Sequence, residues 1–200
     1  MLASVVAAGT ELLISFDCET VGGCVTTNWM PNIGFVAAAP DGTILGELSV
    51  NMSQPSGTVS DYKTLEWFQS LDHGAVWATI TRDAMSPLEG MMKIRNWIGA
   101  FVSVGYKVLL VAYPTVFDGS WLYAYWFRYL GHPTGGKDPG FTMLDIRSYA
   151  SGKLNVSYAE ASKEKALAPF MPSKDAFPHT HTGLDDAREQ LQLYLNLRRY

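Results

Sequence analysis

The feature that most constrains the fold is a change of hydrophobic pattern along the chain. Strand formers dominate up to residue 50, helical spacing takes over from residue 61, and short apolar runs then alternate with helical segments from residue 107. Residues 11–19 (ELLISFDCE) read as a strand, and residues 32–39 and 43–50, joined by the Asp41-Gly42 turn, read as a hairpin. Three consecutive strands therefore open the chain. Across residues 61–105, Leu65, Trp67 and Phe68, then Met91, Ile94, Trp97, Ile98, Phe101 and Val102, recur at three and four residues, with Pro87 near one helix start and Gly105 at the end. Residues 107–112 (KVLLVA) form the continuous apolar run of a fully buried strand, and an aromatic helix follows over about residues 117–130. After the Gly/Pro-rich loop 131–140 come a short strand near Met143 and a helix from about Asp145. A last helix starts near Leu184, with Ala187, Leu191, Tyr194 and Leu195 on one stripe. This order predicts an α/β domain whose mixed sheet has three antiparallel strands followed by two parallel ones, flanked by helices. Catalytic groups in such sheets gather at strand ends and at the helix starts beside them.

A chain of 200 residues with 48% hydrophobic residues fits one globular domain, 1–200. Its net charge of −4 excludes a protein that grips nucleic acid by bulk positive charge, so any polyanion must be met locally. Lys and Arg are absent before Lys63, whereas Lys153, Lys163, Lys165, Lys174, Arg188, Arg198 and Arg199 crowd the last quarter. They read either as solvated helix faces or as a basic rim beside an acidic centre. Cys18 and Cys24 match neither a CxxC redox pair nor a zinc ribbon, which suits a reduced, cytoplasmic chain. Residues 2–8 are apolar but too short to span a membrane and follow no basic residue, so a soluble intracellular protein without a membrane partner is expected.

Asp17 and Glu19 sit at i and i+2 of the first strand, so strand alternation points both carboxylates to one face, roughly 7 Å apart. Cys18 points the other way with Ile14 and Phe16. Two acids on an apolar strand repel and lose hydration, a cost offset by divalent cations between them. Asp118 stands at the start of the aromatic helix, and Asp185 and Asp186 at the start of the last one. Each alone reads equally well as a helix-start acid complementing the macrodipole. His181, five positions before Asp186 in the preceding loop, shifts the balance toward chemistry.

Taken together, FDCET (16–20), FDGSW (117–121) and HTGLDDA (181–187) resemble the three exonuclease motifs of the DnaQ-like superfamily, in its DEDDh branch. The likeness spans nearly the whole chain and implies an RNase H-like fold and a 3′-5′ exonuclease acting on the 3′ end of DNA or RNA. By that resemblance Asp17, Glu19, Asp118 and Asp186 hold two divalent cations, Mg²⁺ or Mn²⁺. Asp17 bridges them, Glu19 and Asp186 hold the nucleophile-side ion, and Asp118 supports the leaving-group side. His181 is the general base, a role suited to a side chain titrating near neutrality. Asp185 is the neighbouring non-catalytic acid, and Thr20, Phe117, Trp121 and Tyr113 are expected to touch substrate. The products expected are nucleoside 5′-monophosphates, from single-stranded ends, with the sugar left open. A narrower likeness lies in SVNMSQ (49–54), Thr64 and Trp67-Phe68, which resemble the phage-type exodeoxyribonuclease and bacterial exoribonuclease subgroup. Homodimeric relatives make a homodimer an expectation. Where many relatives carry His-Asn before the second-motif acid, this chain has Tyr113-Pro114, which separates its terminal-nucleotide pocket from theirs.

Other readings are weaker. His179-Thr180-His181 invites a zinc hydrolase, but the HxHxDH form would need an acid and a histidine at Gly183 and Leu184. That leaves His179 as a structural residue or a substrate-side contact. Tyr113, Trp121, Tyr125 and Trp126 suit base stacking, yet aromatics at helical spacing equally suit a core. An RNase H-like endonuclease would rely on acids alone, against which His181 argues, and a catalytically weak nucleic-acid-binding module would not need the intact acid set.

Overall fold

A computed structural model describes residues 9–132, 140 and 142–200 of the chain. The readings made for residues 2–8 and for most of the loop 131–140 lie outside the described residues. The strands are β1 (Glu11–Glu19), β2 (Asn32–Ala38), β3 (Ile44–Asn51), β4 (Lys107–Ala112) and β5 (Met143–Asp145). They form a five-stranded sheet in the order β3-β2-β1-β4-β5. β1 pairs antiparallel with β2 and β2 antiparallel with β3, while β1–β4 and β4–β5 are parallel. The mixed sheet expected from the alternation of patterns is therefore present.

β1 is the central strand because both of its faces are apolar along most of its length. Leu12, Ile14, Phe16 and Cys18 enter one core with Ile94 and Ile98 of helix α3 (Pro87–Ser103) and Trp121 and Trp126 of helix α4 (Thr115–Leu130). Leu13 enters a second core with Ile146 of helix α5 (Ile146–Leu154) and with Leu191 and Leu195 of helix α6 (Gly183–Arg199). The result is a three-layer sandwich. By the same alternation Asp17 and Glu19 face the α6 side. The β2–β3 hairpin closes as expected: Gly42 takes a φ of 98°, and Asp41 Oδ1 accepts from the Thr43 amide at 2.8 Å.

The helical passage 61–105 is interrupted twice. Helices α1 (Tyr62–Ser70) and α2 (Ala75–Thr81) are separated by Asp72, His73 and Gly74, all at positive φ. Before α3 an extended stretch lets Met85 bridge Met52 in parallel, and Ser86 and Glu89 then form a capping box around Pro87. Helix α4 begins at Thr115, earlier than the apolar spacing indicates, after a cis Tyr113–Pro114 peptide. Its first amide, on Thr115, is satisfied at 2.8 Å by Asp145 Oδ2 from the neighbouring strand end, a contact invisible to local patterning.

Helix α6 is seated directly on the sheet. A side chain on Gly34 would collide with the backbone of Gly183 and Leu184, and a Cβ on Gly183 would lie 2.6 Å from the Asp17 carbonyl oxygen. Asn32 Oδ1 accepts from the Gly183 amide at 2.8 Å, so β2 caps the helix across the layer. Among the described residues, no helix is long and apolar enough to cross a membrane.

Candidate active site

The seating of α6 brings its first turn over the end of β1. Carboxylate oxygens of Asp17, Glu19 and Asp186 lie within 4.8 Å of one another. Glu19, Asp118 and Asp186 are only 7%, 3% and 3% exposed, and Asp17 is partly buried. Asp118, in the first turn of α4, lies beside this trio rather than in it. Its Oδ1 accepts from the amide and the thiol of Cys18, each at 3.2 Å, so the residue between the two β1 acids anchors the third from the opposite face. Gln190, one turn beyond Asp186, donates its amide to Asp17 Oδ1.

Burying this many carboxyls together disfavours their charged forms. Burial, then the proximity of Asp118, Glu19 and Asp186, lifts the Asp17 carboxyl well above its ordinary value. Burial followed by Asp186 and Asp118 pushes Glu19 up to about 8. Burial raises Asp118 to about 7 against the opposing hydrogen bonds from Cys18, and Asp186 to about 6 against the opposing charge of His179. Lys163 tempers the cluster, but its ammonium is paired with Glu189 at 2.8 Å.

His181 stands at the mouth of the site at a φ of 56°, its ring edge-on to Trp67 of α1 with centroids 4.8 Å apart. Burial, and then its neighbour His179, depress its pKa. His179 lies against the acids instead of away from them: Nδ1 is 3.2 Å from Asp186 Oδ1 and 3.4 Å from Glu189 Oε2. The hydrogen bond to Glu189 leads in raising its pKa.

One reading of substrate contacts needs correction. Trp121, with Tyr125 and Trp126, is fully buried against the sheet, because the aromatic stripe of α4 is the stripe that faces the core; none of the three can stack on a base. Thr20 is also buried, and its hydroxyl donates to the Gly22 carbonyl at 2.9 Å. Phe117, on the outer side of α4, is 38% exposed, and Tyr113 is half-buried with its hydroxyl accepting from the Lys163 amide at 3.3 Å. The late cluster of cations divides. Lys163 adjoins the site, whereas Arg188 binds Glu47 and Asp185, and Arg198 binds Glu11. Sequence reasoning missed Asn32, Gly34, Gln190 and Glu189. Gln190 shares the helical face of Asp186 at i+4, a spacing that could have exposed it, but the Asn32 contact spans 151 residues and has no local signal.

The sheet order and the acids at its centre define an α/β fold of the RNase H-like kind. Solved structures of exonucleases share this fold. It superposes on the moderately thermophilic Exonuclease I from Methylocaldum szegediense with a TM-score of 0.67 at 13% identity, covering 94% of this chain and 40% of that one. It superposes on Escherichia coli Exonuclease I in complex with a dA13 oligonucleotide with a TM-score of 0.64 at 11% identity, covering 94% of this chain and 40% of the other. No protein-family model matches the sequence. Among curated proteins, the 3′-5′ DNA exonuclease Cap18 of Escherichia coli is 27% identical over 113 residues, 56% of either chain. The chain thus aligns with little more than half of that curated relative and with about two fifths of the solved ones.

Proposed function

We propose that the chain is a metal-dependent 3′-5′ exonuclease that hydrolyses the terminal phosphodiester of single-stranded DNA and releases nucleoside 5′-monophosphates. The observation that carries this reading is the convergence of Asp17, Glu19 and Asp186, with Asp118 buried beside them and the His181 imidazole at the mouth. The donor set fits hard divalent ions: these carboxylates are mutually repelling, largely buried and acceptors only when ionised. Asp17, Glu19 and Asp186 would hold Mg²⁺ or Mn²⁺, with Asp118 supporting a second ion. Bound there, such ions neutralise the phosphodiester and stabilise the entering and leaving oxygens.

The chain's own residues supply the rest. Neutral His181 accepts a proton from the attacking water, and burial keeps it neutral at physiological pH. Gln190 fixes the Asp17 carboxylate and Cys18 fixes that of Asp118, so the anionic oxygens are aimed before substrate arrives. Exposed Phe117, next to Asp118 in the chain, and exposed Trp67, packed against His181, offer apolar faces to the terminal nucleotide. Similarity to a DNA exonuclease and to the fold of oligodeoxynucleotide complexes supports DNA as the substrate sugar. The test is a digestion of matched DNA and RNA single strands labelled at either end, with Mg²⁺ and with chelator. Stepwise shortening of DNA from its 3′ end, abolished by chelation, is expected. Cleavage of a circular strand, or faster digestion of RNA, would overturn the polarity or the sugar.

A further inference from the structure

Loop 179–182 offers donors of a different character from the carboxylates. Ligand atoms of His179, His181 and Asp186 lie within 4.8 Å of one another, and the two imidazole centroids are 4.5 Å apart. The loop is braced. The Thr180 amide donates to Asp186 Oδ1 at 3.2 Å, and its hydroxyl donates to Asp185 Oδ2 at 2.8 Å. Asp185 is in turn held by Arg188 at 2.6 Å, and Arg188 forks onto both carboxylate oxygens of Glu47. The two histidines flanking Thr180 are therefore presented by a fixed segment rather than by a loose one.

Two imidazole nitrogens and one carboxylate oxygen suit a borderline ion. Mg²⁺ prefers oxygens alone, whereas Zn²⁺ takes three protein ligands of this kind and keeps a fourth position open. Ligand atoms around tetrahedral Zn²⁺ stand about 3.4 Å apart, and His179 Nδ1 already stands 3.2 Å from Asp186 Oδ1. Glu189, anchored by Lys163 at 2.8 Å, lies 3.4 Å from the same His179 nitrogen and sets a further negative charge beside a bound cation.

We propose that His179, His181 and Asp186 form a second metal site, selective for an ion of the Zn²⁺ class, which overlaps the carboxylate site. Filling it removes His181 as a base and diverts Asp186, so the same chain is activated by Mg²⁺ and switched off by Zn²⁺. The inhibition rests on the exonuclease reading; the binding does not. Because the ion competes for residues of the Mg²⁺ site, inhibition is relieved by chelating the Zn²⁺ and not by adding substrate.

The test titrates metal-free wild type, His179→Ala and Asp17→Asn with Zn²⁺ by calorimetry, and with Co²⁺ by visible absorption as a reporter of nitrogen ligation. One Zn²⁺ should bind to wild type and to Asp17→Asn with comparable affinity, and at least about 10-fold more weakly to His179→Ala. In nuclease assays at saturating Mg²⁺, half-inhibition by Zn²⁺ should shift by the same factor between wild type and His179→Ala. Unchanged Zn²⁺ affinity in His179→Ala, or affinity lost in Asp17→Asn, would overturn the site. Weakened binding in His179→Ala with unchanged inhibition would overturn the switch. Zn²⁺ binding through His179 in a protein without Mg²⁺-dependent exonuclease activity would support the site while overturning the function proposed above.

Discussion

At the scale of single residues, the usefulness of His181 comes from its surroundings. Burial and the adjacent His179 both hold its pKa below the ordinary imidazole range, so the neutral, proton-accepting form persists in mildly acidic solution. The acid limb of the pH–rate profile should accordingly lie below about 6.5. His181→Ala should lower kcat by roughly 10² to 10⁴-fold with Mg²⁺ binding kept, which steady-state kinetics and Mg²⁺ titration would check; wild-type turnover would remove it from the mechanism. Asp17 behaves in the opposite sense, being costly to the fold and needed by the chemistry. Asp17→Asn preserves an acceptor for Gln190 while deleting one of several repelling charges. It should abolish activity, yet raise the stability of the metal-free protein at pH 8 by roughly 0.5–2 kcal/mol, read by urea denaturation. These residues could be singled out in the sequence because chemistry restricts them to few types at fixed spacings. Trp121 could not be sorted the same way, since an aromatic at helical spacing looks alike whether its stripe meets the core or a base, and only the packing of α4 on β1 decides.

At the scale of elements, the site depends on how closely α6 lies on the sheet. Gly34 and Gly183 permit backbone to meet backbone, and Asn32 caps the helix start. Gly34→Ala must push α6 outward, because the obstructing atoms are main chain rather than a flexible side-chain tip. A loss of roughly 1–3 kcal/mol is expected, together with a fall in activity that persists at temperatures where the variant is fully folded, since Asp186 moves away from Asp17 and Glu19. Denaturant titration and kinetics on the same preparation separate the two effects; full activity in the folded variant would show that helix seating does not set the site. The strands β1 and β4 could be bounded from sequence because their apolar runs end abruptly at Glu19 and Tyr113. The break between α1 and α2 could not, because Asp72, His73 and Gly74 tolerate positive φ yet also occur inside helices, so that only the packed fold fixes the break there. The Gly34 contact is equally silent, as a glycine in a strand marks close approach without naming what approaches.

At the scale of the whole molecule, the fold gathers acids from the centre of the sheet and from two helices on opposite faces, and the metal-free protein bears the resulting repulsion. The folded-state pKa values of Glu19, Asp118 and Asp186, about 8, 7 and 6, all exceed the ordinary values of 4.5 and 3.8, and Asp17 moves the same way. The folded protein therefore binds more protons than the unfolded chain in this range. The stability these groups contribute is fully present below about pH 4 and is lost as pH rises through 6 to 8. His179, raised mainly by its bond to Glu189, adds to the same trend as it deprotonates. Glu189, held at about 2 despite its burial by His179 and Lys163, acts oppositely, but only as pH falls below the ordinary carboxyl range. His181, whose pKa is lowered, acts against the trend in this window, but the four raised carboxyls and His179 outweigh it, so between pH 5 and 8 the net slope is downward with rising pH in chelator. Divalent cations bind the ionised carboxylates and should reverse it, most strongly at pH 8. At a concentration 100-fold above Kd, binding stabilises by about 2.7 kcal/mol, which for a domain of this size corresponds to a rise in Tm of roughly 5–10 °C. Melting curves at pH 5, 6.5 and 8 with and without Mg²⁺ provide the measurement. A chelated protein whose Tm stays level or climbs over this range would mean that the four carboxyls are not the interacting cluster described.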